Sequence, residues 1–192
     1  MTATLSIRAQ FEQEQASLEL PAGCPLPAVC QCPEHPSGMV VILHAGQRAW
    51  SDSVVDDLAE ELRHAGMATV VVDLMPGSRC ELPYPSPKLL LAERAKRVIA
   101  WLERQPSLAD LPIGVMGLNG ADAAALEAVD QSCRVEAVVI CSGEPVGREL
   151  QRRAHIPVLR LGVEDATRAA VWSAVWFVHH LAMERRWRCA KS

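Results

Sequence analysis

The sequence predicts an α/β fold with a mostly parallel, doubly wound sheet, and three features of the chain predict it. Short apolar runs, most of them rich in β-branched residues, recur at 39–43, 68–72, 135–141 and 157–161, each of strand length. Between them lie segments whose apolar residues return every three or four positions, the period of a helix packed on one side. Ahead of both, residues 16–20 and 26–32 alternate around Pro21-Ala22-Gly23, as the arms of an antiparallel hairpin do. Strands alternating with helices imply parallel pairing, right-handed crossovers and functional sites at the C-terminal strand ends.

Composition bounds the rest. The 192 residues are 49% hydrophobic and 22% charged, enough to bury a sizeable core. We read a polar extension over 1–14, one domain over 15–187 and a tail over 188–192. A formal net charge of −4 gives no electrostatic footprint for nucleic acid or anionic membrane. The basic end, Arg185-Arg186-Trp187-Arg188, reads as a solvated helix terminus whose cations suit the helix dipole. No signal-peptide pattern opens the chain, and the longest apolar stretch, 169–178, is too short to span a bilayer. The expectation is a cytoplasmic protein with reduced thiols, because its seven cysteines are odd in number and irregularly spaced.

Taken in order, the hairpin carries Cys24, Cys30 and Cys32, followed by His35. Their spacing lacks a paired C-x-x-C, and strand alternation puts Cys30 and Cys32 on one face as small core residues, so no metal and no cofactor is predicted. Residues 39–43 lead as a central strand into His44-Ala45-Gly46. Ser51-Asp52-Ser53 caps a helix whose buried stripe is Val54, Leu58, Leu62 and Ala65, and Gly66 stops it. The strand at 68–72 closes on Asp73. A proline-rich loop follows over 74–87, and then Ser86-Pro87 opens a helix with Leu91, Ala95, Val98 and Leu102 on its inner face. Residues 135–141 and 157–161 make two later strands, and from Ala166 to about Arg186 the chain reads as helix.

Between these blocks, Ile113, Val115 and Met116 form a short strand that meets Gly117-Leu118-Asn119-Gly120-Ala121. An Ala-rich helix follows at once. Strand, tight turn and helix in that order resemble a nucleophile elbow, G-x-S-x-G, in which a sharp turn lifts a nucleophile above a helix N-terminus. Here Asn119 holds the nucleophile position and Ala121 replaces the second glycine.

Together these blocks resemble the α/β-hydrolase superfamily, and most closely its dienelactone hydrolase-like branch, over roughly residues 15–183. The resemblance implies a three-layer sandwich, with an oxyanion hole from the backbone near Ala45 or Gly46 and from Gly120, and a triad acid at Asp165. It also implies a histidine after an eighth strand, for which the chain between Asp165 and the last helix leaves no room. Among the histidines, His64, His155, His179 and His180 are poorly placed as a base. An amide cannot replace a serine or thiolate, since it has no ionisable proton and its nitrogen is a poor nucleophile. Cys80, Cys141, Ser51, Ser53 and Ser142 carry no sequence signal of activation, and Asp122 reads as a carboxylate complementing its helix N-terminus. The reading is therefore a hydrolase by ancestry that has lost triad catalysis and binds a small carboxylate or ester. The alternative is an active hydrolase of small esters or lactones with a non-standard site around Asn119. The last helix is apolar on nearly every face, with Trp172, Trp176 and Phe177 spread around it, and this predicts a homodimer through that helix.

Overall fold

The computed structural model describes residues 14–18, 26–45, 52–76, 86–108, 110–118, 120–129, 132, 134–141, 155–162 and 165–183. Within them every apolar or alternating run singled out above is a strand, because β-branched and apolar residues pack well on a pleated surface. They are β1 (Glu14–Leu18), β2 (Leu26–Gln31), β3 (Gly38–His44), β4 (Met67–Asp73), β5 (Ile113–Leu118), β6 (Val135–Cys141) and β7 (Val158–Leu161). They form one seven-stranded sheet in the order β1-β2-β4-β3-β5-β6-β7. The β1–β2 and β2–β4 pairs are antiparallel, and all others are parallel. The predicted hairpin therefore extends the parallel sheet beyond β4. At the opposite edge, no strand follows β7 among the described residues.

Four helices cover the sheet: α1 (Asp52–His64), α2 (Pro87–Glu103), α3 (Asp122–Val129) and α4 (Ala166–Phe177). Strand alternation sorts them into two layers. Met39, Val41 and Leu43 of β3 join Ile113 and Val115 of β5 in a core with α2 and α3. Val40, Ile42, Met116 and Leu118 face the other way, into a core with α1 and α4. The result is a three-layer sandwich.

Local chemistry fixes the helix ends. Ser86 caps α2, its hydroxyl accepting from the Leu89 N–H at 3.3 Å, and Pro87 takes the first helical position. The predicted stripe of α2 is buried throughout. In α1 the inner face is Val55, Leu58, Ala59 and Leu62, whereas Val54 and Ala65 lie half-buried at its margin. The expected stripe is thus displaced around the helix, since several apolar residues in succession admit more than one orientation.

The last helix departs from a uniform α-helix. It is α-helical to Phe177 and continues through Met183 as a π-helix, a change of pitch that apolar periodicity does not encode. Nor is it apolar to the same effect on all sides. Ala169, Ala170, Phe177 and Leu181 are buried, while Val171, Trp172 and Val175 are 49–56% exposed. A Cβ on Gly114 would lie 2.5 Å from the Phe177 ring, so the glycine in β5 makes room for this helix.

Candidate functional site at the strand ends

Parallel strands bring their C-terminal ends to one edge of the sheet, and the site is built there. Register places His44 beside Leu118 on one side and beside Asp73 on the other, with Leu118 beside Cys141. The Leu74 N–H donates to the His44 carbonyl at 2.7 Å, locking the exits of β3 and β4 together. Asp73 closes its own turn, Oδ1 accepting from the Met75 N–H at 2.8 Å. Behind that exit, Arg94 of α2 is 4% exposed and donates to the Leu74 carbonyl.

The elbow is a tight construction. A Cβ at Gly117 would lie 2.9 Å from the Asp122 Cα and 3.0 Å from the Ala125 Cβ, so only glycine lets α3 seat directly on β5. The Ala121 N–H donates to the Leu118 carbonyl at 3.0 Å, and the Ala125 N–H to the Ala121 carbonyl at 2.8 Å. Turn and helix thereby share one residue. Gly120 has φ +89°, and among the described residues nothing lies within 4 Å of where a side chain would start. Asn119 and Gly46 fall outside the described residues. Ala45, half-buried, directly follows β3, the strand next to β5, and packs on the α2/α3 core.

The other sequence candidates fall into place by burial and position. Asp165 is exposed and caps α4, Oδ1 accepting from the Arg168 N–H at 2.9 Å. Asp122 stands in the first turn of α3, as the helix-end reading expects, and is only 5% exposed. Cys141 is 1% exposed, and burial together with the Asp122 carboxylate pushes its thiol up to about 12. It is a core thiol without thiolate character at neutral pH. Cys30 and Cys32 are half-buried against the α2/α3 core, and burial raises the Cys32 thiol as well. Cys24, Cys80, Ser51 and Ser142 fall outside the described residues.

The histidines weighed from sequence lie at the wrong end. His64 ends α1, His155 precedes β7, and His180 lies against Trp176, the ring centroids 4.2 Å apart and the planes tilted by 59°, beside Leu181, whose Cβ approaches Gly38 at the start of β3. The histidine that sequence reasoning passed over is His44, half-buried at the end of β3. Its signal was present, since a polar residue closing an apolar central strand sits at the functional edge of a parallel sheet. A cavity of about 200 Å³ lies elsewhere, between α2 and the C-terminal half of α3, lined by Lys96, Arg97, Glu103 and Ala128 among others.

Comparison with solved structures follows this geometry. The dienelactone hydrolase from Anabaena variabilis superposes with a TM-score of 0.70 at 19% identity, over 88% of this chain and 98% of that one. Thermogutta terrifontis esterase 2 gives 0.63 at 11%, over 87% and 94%. A dienelactone hydrolase-like promiscuous phosphotriesterase from metagenomic libraries gives 0.59 at 17%, over 82% and 94%. The fold is that of the α/β-hydrolases. No protein-family model matches the chain. By sequence, it is 37% identical over 115 residues to a Mycobacterium tuberculosis protein named "Putative phosphoribosyl transferase", found in two strains. The match takes in 59% of this chain and 26% of the relative, so the chain spans about a quarter of the length of the curated relatives it matches.

Proposed function

We propose that this α/β-hydrolase-fold chain is a small-molecule-binding protein of hydrolase ancestry, without Ser/Cys-His-Asp catalysis. One observation carries the reading: Gly117 gives α3 the close seat on β5 that an elbow needs and Gly120 turns with a positive φ, while the resemblance puts Asn119 at the nucleophile position. Backbone N–H groups at a helix N-terminus favour a carboxylate or a polarised carbonyl, and Asn119 adds a donor and an acceptor. The ligand class is a small carboxylate or ester. Supporting the loss of chemistry, the buried thiol of Cys141 is held protonated, and Asp165 serves α4 as its cap.

His44 favours the alternative, an active hydrolase of small esters or lactones, because its strand register brings it next to the residue preceding Asn119. Transferase chemistry is no part of either reading, since the matched stretch is a minor share of the relatives so named. Homodimerisation through the C-terminal helix belongs to the same proposal, supported by exposed Val171, Trp172 and Val175. No helix among the described residues is long and apolar enough to cross a membrane.

The test is hydrolysis of short-chain aryl esters and enol-lactones by wild type, Asn119→Ala and His44→Ala, with thermal shift against short carboxylates in parallel. No turnover above buffer, with a carboxylate-dependent rise in melting temperature that Asn119→Ala weakens, is the expected outcome. Turnover that either substitution abolishes would instead establish the hydrolase.

A further inference from the structure

The α1/α4 layer presents two unlike surfaces side by side. The outer face of α1 is acidic, with Asp56, Asp57 and Glu60 exposed. That of α4 is apolar and opens with a cation: Arg168, then Val171, Trp172 and Val175, at spacings that keep all four on one side of the helix. Both helices pack on the same face of the sheet and against each other, so the two surfaces are coplanar. We infer that a second copy of this chain docks face to face on this layer, α4 of each copy lying on α1 of the other. The inference rests on the homodimer in the reading above and adds its geometry.

Charge decides the pairing. Setting α4 against its own copy leaves Arg168 without a carboxylate on that helix's outer face. Rotation about a two-fold axis lying in the interface, parallel to the helices, instead puts Arg168 near the start of α4 over Asp56 and Asp57 near the start of α1. Such an isologous contact repeats itself once per copy. Trp172, one turn further along α4, then lies over the stretch of α1 that carries Glu60 and is the largest side chain of the contact, a residue type enriched among interface hot spots.

Helices of 13 and 12 residues are each about 20 Å long, and laid side by side at about 10 Å diameter they offer a patch about 20 Å square. Covering it takes up about 400 Å² per copy, half of the roughly 800 Å² per partner of a standard interface, which fits a weak dimer. The open edge of the sheet is a poorer alternative. β7 has four residues and exposes Arg160 at its centre, a charge that discourages strand addition.

Sedimentation velocity of the full chain and four variants, each checked by circular dichroism, tests this. Wild type is expected as a dimer at about 100 μM. Trp172→Glu should raise the dimer dissociation constant by about 100-fold, and Arg168→Glu by about 10-fold. Adding Asp56→Arg and Asp57→Arg to Arg168→Glu should recover most of that loss, while the Asp56→Arg/Asp57→Arg pair alone weakens the dimer. A wild-type monomer overturns the homodimer together with this interface. A dimer indifferent to Trp172→Glu, or one that charge reversal fails to restore, overturns the interface alone.

Discussion

Gly117 and Gly120 lie three residues apart and do different work. Gly117 is a matter of space: any side chain there meets the backbone of Asp122, which cannot yield without lifting α3 from β5. Gly120 is a matter of conformation, with a positive φ and, among the described residues, nothing within reach of a Cβ. Gly117→Ala should therefore cost roughly 1–3 kcal/mol, against about 1 kcal/mol for Gly120→Ala. Urea midpoints of the two variants check this; equal shifts would mean that α3 is not seated on the strand. Cys141 allows a pH test. Its folded pKa, raised to about 12, exceeds the ordinary thiol value near 9, so the protonated thiol's contribution is fully present below about pH 9 and is lost as pH rises toward 12. Between pH 8.5 and 10.5, wild type should lose more stability than Cys141→Ala, with a difference of up to about 1.4 kcal/mol per pH unit above pH 9. Parallel losses would place the thiol in contact with solvent. Much of this scale was legible in the sequence: the glycines of the elbow and the inert cysteines follow from turn chemistry and strand alternation. The buried state of Asp122 was not, because the same residue type at the same helix end is ordinarily solvated.

At the scale of elements, α4 shows where periodicity reaches its limit. Its apolar residues occupy most of the helical wheel, so the pattern could not say which side faces inward. The structure settles it through Gly114 and Gly38, whose missing side chains admit Phe177 and Leu181. Phe177, fully buried, should cost about 3–5 kcal/mol when replaced by alanine. Val171→Ala, on the exposed face, should stay within about 0.5 kcal/mol in protein dilute enough to be monomeric. Chemical denaturation of the two variants at that dilution separates the inner face from the outer one, and comparable losses would mean that the chain itself covers the outer face. Capping was partly foreseen: Ser86-Pro87 announced α2, while the cap that Asp165, the position the resemblance offers for a triad acid, makes on the first turn of α4 was not.

For the whole molecule, the sequence by itself determined the kinds of element and their succession, and hence the layered α/β fold, because hydrophobic period and turn residues act within a few positions of one another. It also carries the resemblance by which Asn119 is proposed to stand at the nucleophile position of an elbow. Strand order and register needed the tertiary structure, since they depend on pairing between residues tens of positions apart. Only that pairing put β3 between β4 and β5 and His44 beside Leu118. Likewise only packing set the acidic face of α1 next to the apolar face of α4. Each helix announces its own amphipathy, but which helices share a layer is decided by the direction of the crossovers and by which face of the sheet each one buries.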